Sequence, residues 1–278
     1  MRCVNFGAVL RLIGTVISLA ARYCLFAAAA AWSALPAPAA AAECNVNSGS
    51  QRVAILELYT SEGCDSCPPA DRWISELPAK KLGADRVVPL AFHVDYWNQL
   101  GWIDPYSQAQ FSERQRQQSK RRGVNFVVTP QLLLNGQDYR RAALFDDIDG
   151  RVRAINSAKP QAEIRVRLSG SNASLQSKVD VDVPGGAEQR RAQVYLALYE
   201  NNLVTAVKAG ENKGHTLRHD FVVRTLAGPL ALDDKGRLSH TQTFALDGRW
   251  KAADTYLAVF VQNPISGEVL QALSASCR

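Results

Sequence analysis

The pattern of apolar and polar positions predicts alternating strands and helices in the first half of the chain. Seven segments carry this signal, in the order strand, helix, strand, helix, strand, strand, helix: 53–59, 68–77, 87–94, 107–122, 131–134, 139–143 and 146–157. The two consecutive strands flank Asn135-Gly136, a dipeptide that favours tight hairpin turns. This order predicts a mixed sheet with helices on both faces.

The second half of the chain has the pattern of an all-β structure. Short alternating or apolar runs, separated by Gly, Pro, Asn and Asp, lie at 164–168, 175–183, 192–199, 221–226, 240–246 and 255–261. Strands of this number and length suggest a sandwich. The pattern changes near Lys159-Pro160, so we predict an α/β domain over residues 43–158 and an all-β, sandwich-like domain over residues 159–278.

Residues 1–42 have the features of a signal peptide. Three arginines and no acidic residue precede the apolar run 23–35, and Ala40-Ala41-Ala42 supplies small residues before Glu43. We expect cleavage near Glu43, which makes the mature protein periplasmic or secreted; an uncleaved anchor is the alternative. No other segment is long and apolar enough to span a bilayer, so we expect no membrane association after cleavage.

The net charge argues against nucleic acid as a partner. The whole chain has 32 basic and 26 acidic residues, a net charge of +6. Removing the three arginines of the leader leaves 32 − 3 = 29 basic residues against 26 acidic ones, a net charge of +3. A charge this small does not indicate a nucleic-acid-binding surface.

The main candidate for chemistry is a Cys-x-x-Cys motif at the start of the first predicted helix. The positive end of a helix lowers the pKa of a nearby thiol, which makes Cys64 the candidate nucleophile and Cys67 the resolving thiol of a redox disulfide. An inert structural disulfide is one alternative. A zinc site is another, but it needs further ligands; only His215 and His219 have suitable spacing, and they lie among strand-like sequence. We therefore predict no metal and no other cofactor.

Two further cysteines remain in the mature chain. Of the six cysteines, Cys3 and Cys24 leave with the signal peptide, and the Cys-x-x-Cys pair accounts for two more. Cys44 and Cys277 are left, and an even count in an exported chain favours a structural disulfide between them. The alternatives are that Cys44 lies on a disordered leader without a partner, or that it pairs between chains.

The sequence resembles thioredoxin-fold proteins in its order of elements, its Cys-x-x-Cys motif and the Thr129-Pro130 pair before the hairpin. The resemblance implies that the Thr129-Pro130 bond is cis and faces the dithiol, and that Pro130 shapes a substrate groove. More closely, the chain resembles a family of uncharacterised bacterial secreted proteins with a thioredoxin-like domain. The shared stretches cover nearly the whole mature chain: LYTSEGCDSCPPAD, FHVDYWNQLGWIDPYS, SERQRQ, VVTPQLLLNG and GENKGHTLRHDFVVR.

An aromatic segment after the second strand exceeds what a minimal thioredoxin fold needs. Four residues there leave the carboxyl end of a strand and are candidates to line a substrate groove: His93, Asp95, Tyr96 and Trp97. The alternative is that the aromatic residues only pack a long loop. Glu57 lies near the position where thioredoxins carry a buried proton-transfer acid, although a gapless match puts that acid on Leu58.

Together these features predict a thiol–disulfide oxidoreductase that acts on protein or peptide thiols and works with a redox partner protein. One alternative is a thioredoxin-like scaffold that binds or assembles a partner without catalysis, because a fold does not fix a function. Another is a dithiol that holds a soft metal ion such as Cu(I). Whether the protein would oxidise, reduce or isomerise depends on thiolate stabilisation, which the motif alone does not encode.

Overall fold

The computed structural model describes residues 43–139, 147–171 and 173–277, so the predicted signal peptide lies outside the described residues. The described helices are α1 (Pro68–Ser75), α2 (Ala109–Arg121) and α3 (Ile148–Asn156). The described strands are β1 (Glu43–Asn47), β2 (Ala54–Thr60), β3 (Val87–His93), β4 (Gln131–Leu134), β5 (Gln137–Asp138), β6 (Glu163–Gly170), β7 (Ser174–Asp182), β8 (Gln193–Glu200), β9 (Leu203–Ala206), β10 (Thr216–His219), β11 (Val222–Ala231), β12 (Arg237–Ala245), β13 (Thr255–Gln262) and β14 (Val269–Ala275).

An eight-stranded sheet contains strands from both halves of the chain, in the order β14-β13-β8-β11-β3-β2-β4-β5. β2 and β3 are parallel, whereas β4 is antiparallel to β2 and β5 is antiparallel to β4. β11 joins the two halves: Val222 pairs with Ala91 of β3 in parallel, and the rest of β11 pairs antiparallel with β8. The described residues accordingly group into one compact unit.

The hairpin between β4 and β5 turns at Asn135-Gly136, as the sequence predicts. Both residues have positive φ, 52° and 81°, and a Cβ on Gly136 would lie 2.1 Å from the carbonyl oxygen of Gly267. The two-residue turn pairs Leu134 with Gln137, so β5 starts earlier than the predicted strand over 139–143. Residues 140–146, which include most of that predicted strand and the predicted start of the last helix, lie outside the described residues.

A second sheet, of order β1-β6-β7-β12, packs on one face of the larger sheet. Inward-facing residues alternate along its strands, and they form one hydrophobic cluster with alternate residues of β8 and β13 such as Leu196 and Val259. The intervening residues of β8, including Tyr195 and Tyr199, belong to a separate cluster on the opposite face. β8 is therefore buried on both faces, which explains its continuous apolar sequence.

A disulfide joins Cys44, in the first described strand, to Cys277 after the last strand. The two Cα atoms are 5.5 Å apart although the residues are 233 positions apart in sequence. β1 forms the edge of the four-stranded sheet and pairs with β6 alone. The disulfide thus attaches this edge strand to the end of β14 in the other sheet.

A buried ion pair lies inside the core between α2 and the large sheet. Arg114 donates to both carboxylate oxygens of Glu57, at 2.8 and 3.0 Å, and Tyr59 donates its hydroxyl to the same carboxylate at 2.7 Å. The guanidinium lies over the rings of Tyr195 and Phe260 at 4.8 and 5.1 Å from their centroids. Burial acts to lower the pKa of Arg114, but the negative charge of Glu57 outweighs it and raises the pKa, so the guanidinium stays charged. The carboxylate of Glu57 is therefore occupied by hydrogen bonds from Arg114 and Tyr59.

Candidate functional site

The Cys-x-x-Cys segment joins the carboxyl end of β2 to the start of α1. Cys67 is the residue before the first helical turn, and Pro68 and Pro69 occupy the first two helical positions. The Cys67 carbonyl accepts the backbone N–H groups of Ala70 and Asp71 at 2.8 and 3.2 Å. Cys64 and Cys67 form a disulfide with Cα atoms 5.5 Å apart, and both residues are fully buried.

The loop between β9 and β10 fixes the dithiol segment from the other half of the chain. Asn212 is buried, and its side-chain amide donates to the carbonyl oxygens of Glu62 and Cys64 at 2.9 and 2.8 Å. Glu211 accepts the backbone N–H of Asp65 at 3.0 Å. The segment GENKGH (residues 210–215) therefore holds the backbone on both sides of Gly63 and Cys64.

Thr129 and Pro130 lie next to the dithiol. Their peptide bond is cis, and the carbonyl oxygen of Thr129 is 3.8 Å from Cys64 Sγ. Tyr96 makes a short hydrogen bond with the Thr129 hydroxyl and donates to Gln115 at 3.0 Å. Burial raises the pKa of Tyr96, so its hydroxyl is neutral and can donate.

A surface groove of about 860 Å³ adjoins the dithiol. Ser66 and Pro69 from the dithiol segment form one wall, and Ser66 Oγ is 3.3 Å from Cys64 Sγ. Pro130 is part of the lining, together with Val128 and Phe126, which are 48% and 64% exposed. The groove therefore presents apolar surface next to Ser66 and Pro69 of the dithiol segment, while the two cysteines lie buried behind its lining.

Behind the dithiol, five ionisable side chains form a buried cluster: Glu62, Asp71, His93, Asp104 and His219. His93 Nδ1 is 2.7 Å from Asp104 Oδ2, and His219 Nε2 is 3.1 Å from Glu62 Oε1. The two imidazole rings meet edge to face, with centroids 5.1 Å apart. Hydrogen bonds from Thr60 to Asp71 and from Trp102 to Glu62 complete the network, which we call the buried His-carboxylate cluster.

The electrostatics of this cluster follow from burial and mutual charge. Burial lowers the pKa of His93, but the charge and hydrogen bond of Asp104 outweigh it, so the net shift is upward. Burial also acts to raise the pKa of Asp104, and there the combined effects of His93 and two backbone N–H donors lower it overall. For Asp71, burial prevails over the attraction of His219 and His93, and its pKa is raised.

The residues predicted from sequence separate into different surroundings. Tyr96 contacts Thr129, and Trp97 lies beside Gly63, where a Cβ would be 3.7 Å from Trp97 Cβ. His93 points into the buried His-carboxylate cluster instead of the groove. Asp95 accepts a hydrogen bond from Ser112 of α2. Among the described residues, Glu57 has no hydrogen bond to either cysteine, because Arg114 and Tyr59 occupy its carboxylate.

Four residues of the site carry no role predicted from the sequence, namely Glu62, Asp71, Asp104 and Asn212, and His219 enters there only as a zinc ligand considered together with His215. One local signal exists: Asp71 lies three residues before the buried Ile74 of α1, so helical periodicity directs an acidic residue toward the core. The others meet through contacts between residues 11 to 157 positions apart. No sequence spacing links such residues.

Fold and site together define an extracytoplasmic protein: a mixed sheet with a buried disulfide of near neighbours at a strand-to-helix junction, and a second disulfide between its ends. Such disulfides are typical of oxidising compartments. Across the three described stretches of chain, no helix has the length and apolar character required to cross a bilayer. The chain belongs to the family described as "Protein of unknown function (DUF1223)", whose model matches residues 55–262.

Two solved structures are similar over most of the chain. Protein AGR_C_4864 from Agrobacterium tumefaciens has 26% sequence identity and a TM-score of 0.59, over 83% of this chain and 97% of that one. HBP35 of Porphyromonas gingivalis has 15% identity and a TM-score of 0.61, over 82% of this chain and 76% of that one; it is similar in fold alone. No functionally curated protein matches the sequence significantly.

Proposed function

We propose that this protein is a periplasmic or secreted thiol–disulfide oxidoreductase that acts on protein or peptide thiols. The observation that carries the proposal is the position of the Cys64–Cys67 disulfide beside the groove, with Cys64 Sγ 3.8 Å from the carbonyl oxygen of Thr129. The positive end of a helix can stabilise the thiolate that forms when a disulfide beside it is opened.

We further propose that residues 54–156 form a thioredoxin-like unit. Its support is the order β2-α1-β3-α2-β4-β5-α3, together with a parallel β2-β3 pair flanked by the antiparallel β4 and β5. This is the arrangement that the sequence resemblance implies. In this chain β11 continues the sheet beyond β3, so the proposed unit is extended by strands from the second half.

The reaction follows ordinary thiol–disulfide exchange. A substrate thiolate attacks Cys64 Sγ, the Cys64–Cys67 bond breaks, and Cys67 leaves with the electron pair as a thiolate. A second substrate thiolate then attacks the mixed disulfide at the substrate sulfur, which yields an oxidised substrate and the reduced Cys64/Cys67 pair. A redox partner protein with its own disulfide restores the oxidised state. The reverse sequence reduces a substrate disulfide.

The groove defines the class of substrate. Its exposed Phe126 and Val128 suit apolar side chains, and an extended segment there would pass the backbone of Thr129 before reaching Cys64. Because Cys64 and Cys67 are fully buried in the disulfide form, a substrate thiol must displace part of the groove wall to reach the sulfur. Flexible or unfolded polypeptides fit this requirement better than small rigid thiols.

The complete burial of both cysteines also favours a second candidate, in which the disulfide is inert and the domain is a binding scaffold. The two candidates differ in reduction potential. A structural disulfide resists the glutathione pool, with a potential below about −300 mV, whereas an exchange-active disulfide is reduced at higher potential.

The test is to trap substrates and to measure that potential. A Cys67→Ser variant exported in vivo is expected to form mixed disulfides through Cys64, and glutathione titration of wild-type protein is expected to give a potential above about −300 mV. The control is a Cys64→Ser/Cys67→Ser variant, which keeps the second disulfide and should trap nothing. If Cys67→Ser traps no protein and the potential lies below that value, the oxidoreductase proposal is wrong and the binding scaffold is the better account.

A further inference from the structure

Two imidazole nitrogens in the buried His-carboxylate cluster make no hydrogen bond to any described residue. His93 Nε2 and His219 Nδ1 are both buried, and neither has a hydrogen-bond partner among the described residues. Leaving a buried polar atom unpaired is unfavourable, so two such atoms in the same cluster require a physical reason. A bound ion between them would supply one.

We infer that Asp71, His93 and His219 form a binding site for a divalent transition-metal ion of the Zn²⁺ type. One ligand atom from each of these residues lies within 4.8 Å of the others, and Asp71 Oδ1 is 4.0 Å from His219 Nδ1. Tetrahedral ligands about 2.0–2.2 Å from a zinc ion are about 3.3–3.6 Å apart, so atoms up to 4.8 Å apart must close by up to about 1.5 Å when the ion binds. Two imidazoles and one carboxylate are a donor set that this class of metal prefers.

The surroundings of the two histidines match those of metal ligands. Metal-bound histidines usually donate their other ring N–H to a carboxylate, which fixes the tautomer and turns the lone pair toward the metal. Here Asp104 accepts from His93 Nδ1 at 2.7 Å, and Glu62 accepts from His219 Nε2 at 3.1 Å. These hydrogen bonds leave His93 Nε2 and His219 Nδ1 free, and His219 Nδ1 lies 4.0 Å from Asp71 Oδ1.

The charges of the cluster also favour a dication. Asp71, Glu62 and Asp104 are three buried carboxyl groups, and their ion pairs in the described chain are with two imidazoles, those of His93 and His219, and with no lysine or arginine. Buried charges need a compensating partner. A divalent ion held by neutral imidazoles would provide positive charge at the centre of this set.

The site is separate from the two cysteines. Cys64 and Cys67 are bonded to each other and are not among the three ligands, although Glu62 precedes Cys64 by two residues and Asp71 follows Cys67 by four. The inference therefore does not depend on the proposed oxidoreductase activity. A metal here would instead fix the ends of the dithiol segment from beneath.

The test is metal binding by protein stripped with a chelator and kept oxidised. We expect one Zn²⁺ per chain by calorimetry, and a visible spectrum of bound Co²⁺ with nitrogen and oxygen ligands. Binding should survive in Cys64→Ser/Cys67→Ser, which removes any thiolate ligand. His93→Asn and His219→Asn should each weaken binding more than 100-fold, whereas His215→Asn, four residues from His219 and exposed, should leave it unchanged.

Two further measurements keep the inference open to refutation if a ligand variant fails to fold. Glu62→Gln, which keeps the shape of the hydrogen-bonded partner, should weaken Zn²⁺ binding 10- to 100-fold. Anomalous scattering at the zinc edge from soaked wild-type crystals should give a peak between Asp71, His93 and His219. Absence of one-to-one binding by folded wild-type protein, loss of binding in Cys64→Ser/Cys67→Ser, or full binding by folded His219→Asn would each overturn it.

Discussion

Replacing Arg114 by methionine should strongly destabilise the protein, because the substitution leaves the carboxylate of Glu57 buried without its cation. Both partners are nearly or completely inaccessible to solvent, and the two N–H···O distances are 2.8 and 3.0 Å. Removing one partner of such a pair typically costs about 3–5 kcal/mol. The guanidinium also lies over aromatic rings, including Tyr195 and Phe260 from the second half, and lost cation–π contacts contribute about 0.5–2 kcal/mol within that range.

The assay is the free energy of unfolding from urea denaturation of oxidised protein. The matched control is Arg116→Met on the same helix, whose partner Glu113 is 3.7 Å away; both side chains are more than half exposed, so we expect a change within about 0.5 kcal/mol. Adding Glu57→Gln to Arg114→Met removes the unpaired charge and should restore at least about 1 kcal/mol. A loss below 1 kcal/mol for Arg114→Met, or no recovery in the double variant, would refute this account of the core.

Three other substitutions test separate features. Replacing both Cys44 and Cys277 by serine should lower the free energy of unfolding by up to about 5 kcal/mol, since the bridge closes a loop of over 200 residues; a loss under 1 kcal/mol in urea would contradict this. Gly136→Ala should lower Tm more than Gly123→Ala, because both have positive φ but only the first Cβ meets a carbonyl oxygen, at 2.1 Å; equal shifts would count against the close approach. Asn212→Ala should speed alkylation of the reduced dithiol, because it removes two hydrogen bonds to the backbone of the dithiol segment; an unchanged rate would show that Asn212 does not restrain this segment.

Features set by neighbouring residues were predictable from the sequence. The turn at Asn135-Gly136 needs two positive φ values, which few dipeptides tolerate, and the structure has it there. The buried strands β2 and β3 and the helix α1 follow from apolar runs and from proline at the helix start. The ends of elements were less predictable: α2 begins at Ala109, two residues after the predicted start, because Gln108 is still extended.

Features set by distant contacts were not predictable. β14 is not predicted from the sequence, because its residues VLQALSA show no clear alternation of apolar and polar positions. The alternation is absent because both faces of the strand are buried in the core. The domain boundary remains a prediction, although β11 carries the sheet across it through the pairing of Val222 with Ala91. His93 and His219 belong to one cluster only because the β9-β10 hairpin folds over the dithiol segment. Sequence spacing therefore gives no indication of the metal site that we infer from the three-dimensional arrangement.

The disulfide between Cys44 and Cys277 closes the backbone into a covalent ring of more than 230 residues. A single proteolytic cut within that ring leaves both fragments attached, so a nicked molecule separates only after reduction. The length of this ring also bears on the order in which the two disulfides form. During export from the N-terminus, Cys44 emerges long before Cys277, while Cys64 and Cys67 arrive early and are only three positions apart. Short loops close far more readily than long ones. Cys64 and Cys67 can therefore bond to each other before Cys277 is exported, which leaves Cys44 and Cys277 to pair with each other.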